Sequence, residues 1–216
     1  MNTAFPLARK PLARKLSLSL LSLITATHCF AADSAKVKVL ESCDKIDPKT
    51  VRITEAKAKS IPTQDPDHRK AIELVMDYAK PGTWSGLGKD FPEHLNLKKY
   101  ASIRFWVRSD VGTSFNFGLG GDYKRRDGRG TGFQGGGYKA TETWTQITIP
   151  LNKFTRNGLR NWDKEKKQWI DIRGGDPLDE EDIEGISRWG LSSSIDQRGA
   201  STKGHLMFDA FEIVEK

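Results

Sequence analysis

Two cysteines in 216 residues, and four histidines, leave this chain little with which to do redox or transition-metal chemistry. His68, His94 and His205 stand far apart, without metal-ligand spacing. Neither G-x-S-x-G nor H-E-x-x-H occurs, which removes the familiar serine-hydrolase and zinc-protease signatures. No G-x-x-x-x-G-K-[ST] is present and no G-x-G-x-x-G opens a helix, so the glycines are not a phosphate cradle. Helical periodicity is almost absent, and no apolar run reaches the length that spans a bilayer.

The first 31 residues lack acids altogether. Arg9, Lys10, Arg14 and Lys15 precede an apolar stretch from Leu16 to Thr27, followed by Cys29-Phe30-Ala31-Ala32. This is the pattern of a secretory signal peptide, with cleavage after Ala31 placing small residues at the −1 and −3 positions. The remaining 32–216 read as a single β-sandwich domain, in the periplasm or secreted. Removing four cations from the formal +7 leaves +3 on 185 residues, so the basic whole-chain pI of about 9.4 belongs mostly to the leader and a nucleic-acid partner loses its support. Cys43 is then the one cysteine left and no intramolecular disulfide can form.

What is present is alternation. From Ser102 to Arg108 the apolar Ile103, Phe105 and Val107 alternate with Arg104, Trp106 and Arg108; after Asp110-Val111-Gly112, Phe115, Phe117 and Leu119 alternate with Ser114, Asn116 and Gly118. The two runs read as a half-buried antiparallel hairpin. Further strands are expected at 37–40, 51–59, 71–78, 144–151, 189–195 and 206–214, with loops at 60–69 and 83–94 and a mobile or sharply turning loop at 120–137, which carries eight glycines and a basic cluster from Lys124 to Arg129. The stretch 155–185 predicts a small hairpin and one helical turn capped by Asp179. Eight to ten strands and nearly no helix make an all-β, antiparallel sandwich. Trp144 and Trp189 alternate with apolar neighbours and are expected in the core, whereas Trp162 and Trp169 fit either an edge cap or a groove wall.

The segments AIELVMDY (71–78), TWSGLGKDFPEHLNLKKYASIRFWVRSD (83–110), WTQITIPLNKF (144–154), DPLDEEDIEGISRWGLS (176–192) and GHLMFDAFEIVEK (204–216), in this order, resemble the galactose-binding-like jelly-roll domains. Among them the chain is most similar to family 11 type carbohydrate-binding modules and to the complex I intermediate-associated proteins. The resemblance implies a two-sheet jelly roll that binds a polysaccharide or oligosaccharide on a concave sheet face without catalysis. It also implies a structural calcium held by Glu41, Asp44 and Asp209. Independently, a carboxylate inside the apolar LMFDAFEI needs a cation, an ion-pair partner or backbone donors.

On the outward face, Trp106 between Arg104 and Arg108 suits a polyhydroxylated ring, with Asn116, Trp84, Tyr123 and Tyr138 as further ligand contacts and the basic loop favouring an acidic glycan. The competing reading of Trp106 is that it packs beneath a loop. Two other functions fit the same residues: a periplasmic protein that binds a protein partner, and a jelly-roll polysaccharide lyase or hydrolase using His94, His205 or Tyr138, none of which sits in a motif.

Overall fold

Alternating apolar residues make sheets that each have one face to hide, and two such faces hide each other. The computed structural model describes residues 36–47, 51–54, 56–77, 84–121, 130–163, 165–172, 174–194 and 203–216; the expected signal peptide, Tyr123 and the basic cluster 124–129 lie outside them. Residues 35–216 form one compact unit. Among the described residues the strands run β1 (Val37–Glu41), β2 (Val51–Thr54), β3 (Ala56–Pro62), β4 (Lys70–Asp77), β5 (Trp84–Leu95), β6 (Tyr100–Arg108), β7 (Ser114–Gly120), β8 (Gly132–Lys139), β9 (Thr145–Pro150), β10 (Thr155–Arg156), β11 (Leu159–Asp163), β12 (Gln168–Ile172), β13 (Ile186–Ser194) and β14 (Lys203–Glu215). One sheet, A, has the order β3-β4-β14-β6-β9 with β1 also on β14; the other, B, has the order β10-β8-β7-β13-β5-β2; β11 and β12 pair with each other. The short helix α1 (Glu180–Glu184) carries the expected cap: Asp179 accepts from the Asp182 N–H and the Asp182 side chain accepts in return from the Asp179 N–H.

The core lies between A and B. Ile103, Phe105, Val107, Phe208, Phe211 and Ile213 come from A, and Phe115, Phe117, Phe133, Trp189 and Leu191 from B, all buried. Phe105 and Phe117 stack across the gap at 4.6 Å, and Trp189 stacks on Phe208 at 5.0 Å and on Phe211 at 5.5 Å. Phe208 and Phe211, three apart, both face inward because β14 bulges between Asp209 and Glu212, with Ala210 at φ +50°. The bulge turns Asp209 away from the rings on either side of it.

Several expectations change here. The alternation of 102–119 is real, but β6 and β7 do not form a hairpin. Each is already flanked on both edges, β6 by β14 and β9, β7 by β13 and β8, so the chain crosses from A to B. Thr113, 2% exposed, pins the crossing by accepting from its own Ser109 turn and donating to the His205 carbonyl at 2.8 Å. Residues 51–59 likewise split into β2 on B and β3 on A. Segment 84–94, expected as irregular, lies in the twelve-residue β5, with Pro92 at the bulge opposite β13 where no ladder bond is lost. Residues 132–137, expected in the glycine-rich loop, belong to β8. Trp144 is not in the core: it half-faces solvent on the outside of A, whereas Trp189 is buried as expected.

Candidate functional site

Residues paired across a sheet share a face, and on the outer face of B this rule brings together residues that are distant in sequence. Arg52 lies opposite Gly88, Gly88 opposite Gly190, Gly190 opposite Gly118, and Gly118 opposite Gln134. One row across five strands thus has a guanidinium at one end, an amide at the other and no side chain between. The row above it is Thr54, Gly86, Ser192 and Asn116; the row below is Asp90, Arg188, Gly120 and Gly132. The result is a groove of about 340 Å³ floored by main chain and walled by Arg52, Asn116, Gln134, Asn157, Arg188 and Ser192. At about 4.8 Å per strand it runs roughly 19 Å across the sheet.

Glycine is required in parts of this floor. A Cβ at Gly86 would sit 2.4 Å from the Leu191 carbonyl oxygen, and one at Gly118 2.9 Å from that of Phe133. Gly88 is different, since a Cβ there meets nothing nearer than 3.8 Å and would project into the groove. The edge of the sheet behind Gly132 is fixed from below. Arg156 and Asp182 form a fully buried, two-pronged ion pair, and the guanidinium lies 5.0 Å over the Phe133 ring and also donates to the Gly130 carbonyl.

Of the residues expected to bind ligand, Asn116 is in this groove. Trp84 opens β5, with Ser194 as its cross-strand partner. Tyr138 packs its ring 5.8 Å from Phe115 and donates its hydroxyl to the Gly135 carbonyl at 2.7 Å; burial raises the pKa of its phenol. Arg104, Trp106 and Arg108 are not brought to Asn116, because β6 is in sheet A and they point from the other side of the sandwich. There Trp106 does pack beneath a loop. His68, 7% exposed, descends from the β3–β4 connection and lies between two indoles, 4.7 Å from the Trp106 ring and 4.4 Å from the Trp144 ring, with its Nδ1 2.9 Å from Asp209 Oδ2. The connection is shaped for this by Asp65, whose Oδ1 accepts from the Asp67 and His68 N–H groups. Arg104 is held by Glu212 at 2.6 Å. Nearby, His205 bridges Glu73 and Asp110, and Glu73 also meets Lys59 at 2.9 Å.

Of the three carboxylates expected around calcium, Asp44 and Asp209 line one cleft, which Glu41 does not. Glu41 pairs with Lys89, Asp44 lies 3.7 Å from Lys70, and Asp209 answers to His68. Among the described residues no three His, Cys, Asp or Glu converge to hold a metal. With Glu41 on Lys89, Asp44 near Lys70 and Asp209 on His68, the donor set falls short of the roughly six to eight oxygens that such an ion asks for. Burial pushes the Asp209 carboxyl above its ordinary range, and the hydrogen bond and charge of His68 pull it back.

The sequence reading missed Arg52, Gln134, Asn157, Arg188 and the glycine row. The available signal was glycine at period two, 86/88 and 118/120, inside alternating runs.

The family model for carbohydrate binding domain 30 matches residues 41–183. No curated protein matches the sequence. Among solved structures, the family 11 carbohydrate-binding module of a cellulosomal cellulase of Clostridium thermocellum superposes with a TM-score of 0.57 at 15% identity, covering 84% of this chain and 96% of that one. A family 30 carbohydrate-binding module gives 0.57 at 11% identity over 84% and 99%. The Clostridium thermocellum family 11 module in complex with a β-1,3-1,4-mixed-linked tetrasaccharide gives 0.55 at 15% identity over 83% and 95%. At these identities the likeness is one of fold: a two-sheet jelly roll.

Proposed function

The chain belongs to the carbohydrate binding domain 30 family, and from that we propose that it binds a stretch of oligosaccharide along the glycine row of sheet B and releases it unchanged. The observation that carries this reading is the run Arg52–Gly88–Gly190–Gly118–Gln134, in which three adjacent strands offer no side chain at the same level. A sugar ring laid there reaches main chain directly, and its hydroxyls meet the amides of Asn116 and Gln134 and the hydroxyl of Ser192 on either side. Each such hydrogen bond is worth about 1 kcal/mol net. Alignment of several, more than any one, gives the strand its orientation.

The test fills the groove. In Gly88→Phe the Cβ has room and the ring occupies the floor, so binding of a mixed-linked β-glucan oligosaccharide, the ligand named for the family 11 relative, or of any glycan found on an array, falls at least tenfold with the melting temperature unchanged. Retained binding in the folded variant overturns the assignment. We also propose export: the basic, acid-free leader and its apolar run support it, and the mature protein is expected to begin at Ala32, which mass measurement of protein recovered from the cell envelope or medium checks.

A further inference from the structure

We infer that the groove prefers an anionic glycan, one carrying a uronate carboxylate, and that Arg188 is the residue that reads the charge. This deepens the proposed function and rests on it. The side chains lining the groove include two guanidiniums and no carboxylate. Of the two, Arg52 is already committed, with Asp90 at 2.8 Å. Arg188 faces the same Asp90 across the β5–β13 pairing, yet Asp90 goes to Arg52, and among the described residues no carboxylate pairs with Arg188. Its recorded partner is neutral, the Gly121 carbonyl, which accepts from one Nη at 2.9 Å.

Its position is held by what is missing beside it. A Cβ on Gly120 would come within 2.9 Å of Arg188 Nε and 3.0 Å of its Cγ, so the stem lies flat over a glycine and the half-buried fork is fixed before any ligand arrives. A fixed, uncompensated guanidinium beside a main-chain floor matches a planar carboxylate better than a hydroxyl, because two parallel N–H groups meet two oxygens. Neutral hydroxyls are already served by Asn116, Gln134, Asn157 and Ser192. What Arg188 adds is charge.

The decisive experiment compares an oligouronate with its own methyl ester, which keeps the backbone and removes the charge, alongside a neutral β-glucan oligosaccharide, by calorimetry at low and moderate salt. The wild-type protein is expected to bind the acid about tenfold more tightly than the ester, with the difference shrinking as salt rises. Arg188→Gln abolishes that preference. Arg188→Lys retains the salt dependence and loses most of the discrimination, and Arg52→Gln, which releases Asp90 opposite Arg188, is expected to shrink the preference as well. Equal binding of acid and ester overturns the inference, as does a preference that survives Arg188→Gln. If the neutral oligosaccharide alone binds, and Gly88→Phe removes it, the groove stands and its anionic specificity is wrong. If none of the three binds, or binding persists in Gly88→Phe, the groove assignment itself falls.

Discussion

The two outer faces of this sandwich are built on opposite plans. Sheet A carries the large and charged side chains, Trp106, Arg104, Arg108, Glu73, Glu212 and His205, and covers part of them with the β3–β4 connection, so that His68 fills the space between two indoles and the carboxylates meet cations. Sheet B carries glycines and short polar groups at its centre, with Arg52, Asp90 and Arg188 beside them, and leaves a groove. An aromatic on an outward position marks a place the protein covers as readily as one it offers. A run of glycines marks a place where nothing of its own stands in the way.

This contrast can be tested by changes on each side, taken here from the largest effect to the smallest. Beneath the B face, Asp182→Ala takes the two-pronged carboxylate from the buried Arg156 guanidinium and leaves it the half-exposed Asp179 at 3.6 Å, and about 3 kcal/mol of stability is expected to be lost in urea denaturation. On the A face, Trp106→Ala is expected to cost about 2 kcal/mol through lost packing on His68 and to leave glycan affinity unchanged; a large affinity loss with intact folding would move the site to sheet A.

Acid titration offers a subtler pair, both on sheet A. Burial would raise the Glu73 carboxyl, but hydrogen bonds from Lys59 and His205 more than offset this and hold it below its ordinary range. Its contribution is therefore present above the unfolded value of about 4.3 and lost as pH falls through the lower folded one. Asp209, raised by burial against the pull of His68, has the reverse sign: its contribution is complete below about 3.9 and is lost as pH rises through the raised folded value. Between about pH 3 and pH 6, Glu73→Gln should flatten the acid limb of the stability curve and Asp209→Asn should steepen the rise above it. The smallest effect is expected from chelation. With Glu41, Asp44 and Asp209 engaged by Lys89, Lys70 and His68, EDTA should leave the melting temperature where it is; a drop would restore a calcium bridge between them.

Much of the fold could be read from period two. Ile103, Phe105 and Val107 are buried as their spacing requires, Asp179 caps the one short helix, and Trp189 is central to the core. Alternation, however, tells which way a side chain points and not which strand lies beside it. It could not say that β6 and β7 sit in different sheets, because Phe105 and Phe117 would face a common core in either arrangement. For the same reason Asn116 was found and its neighbours were not. Gly88, Gly190 and Gly118 become one feature through hydrogen-bonded register, and singly each is one more glycine in its own stretch. His68 was hidden in a proline-rich connection, where nothing local announces that a ring will be tucked between Trp106 and Trp144.

One consequence of the topology lies outside binding altogether. β14 is bonded to β1, β4 and β6, so three separate parts of sheet A wait on residues 203–215 before they can hold together. A ribosome that has released everything up to β13 has produced a chain in which, among the described residues, three of the five ladders of sheet A are still missing, slow to collapse because the partners it needs are far apart in sequence. Sheet A of such a polypeptide stays open until synthesis is nearly finished, a property that suits the export proposed above.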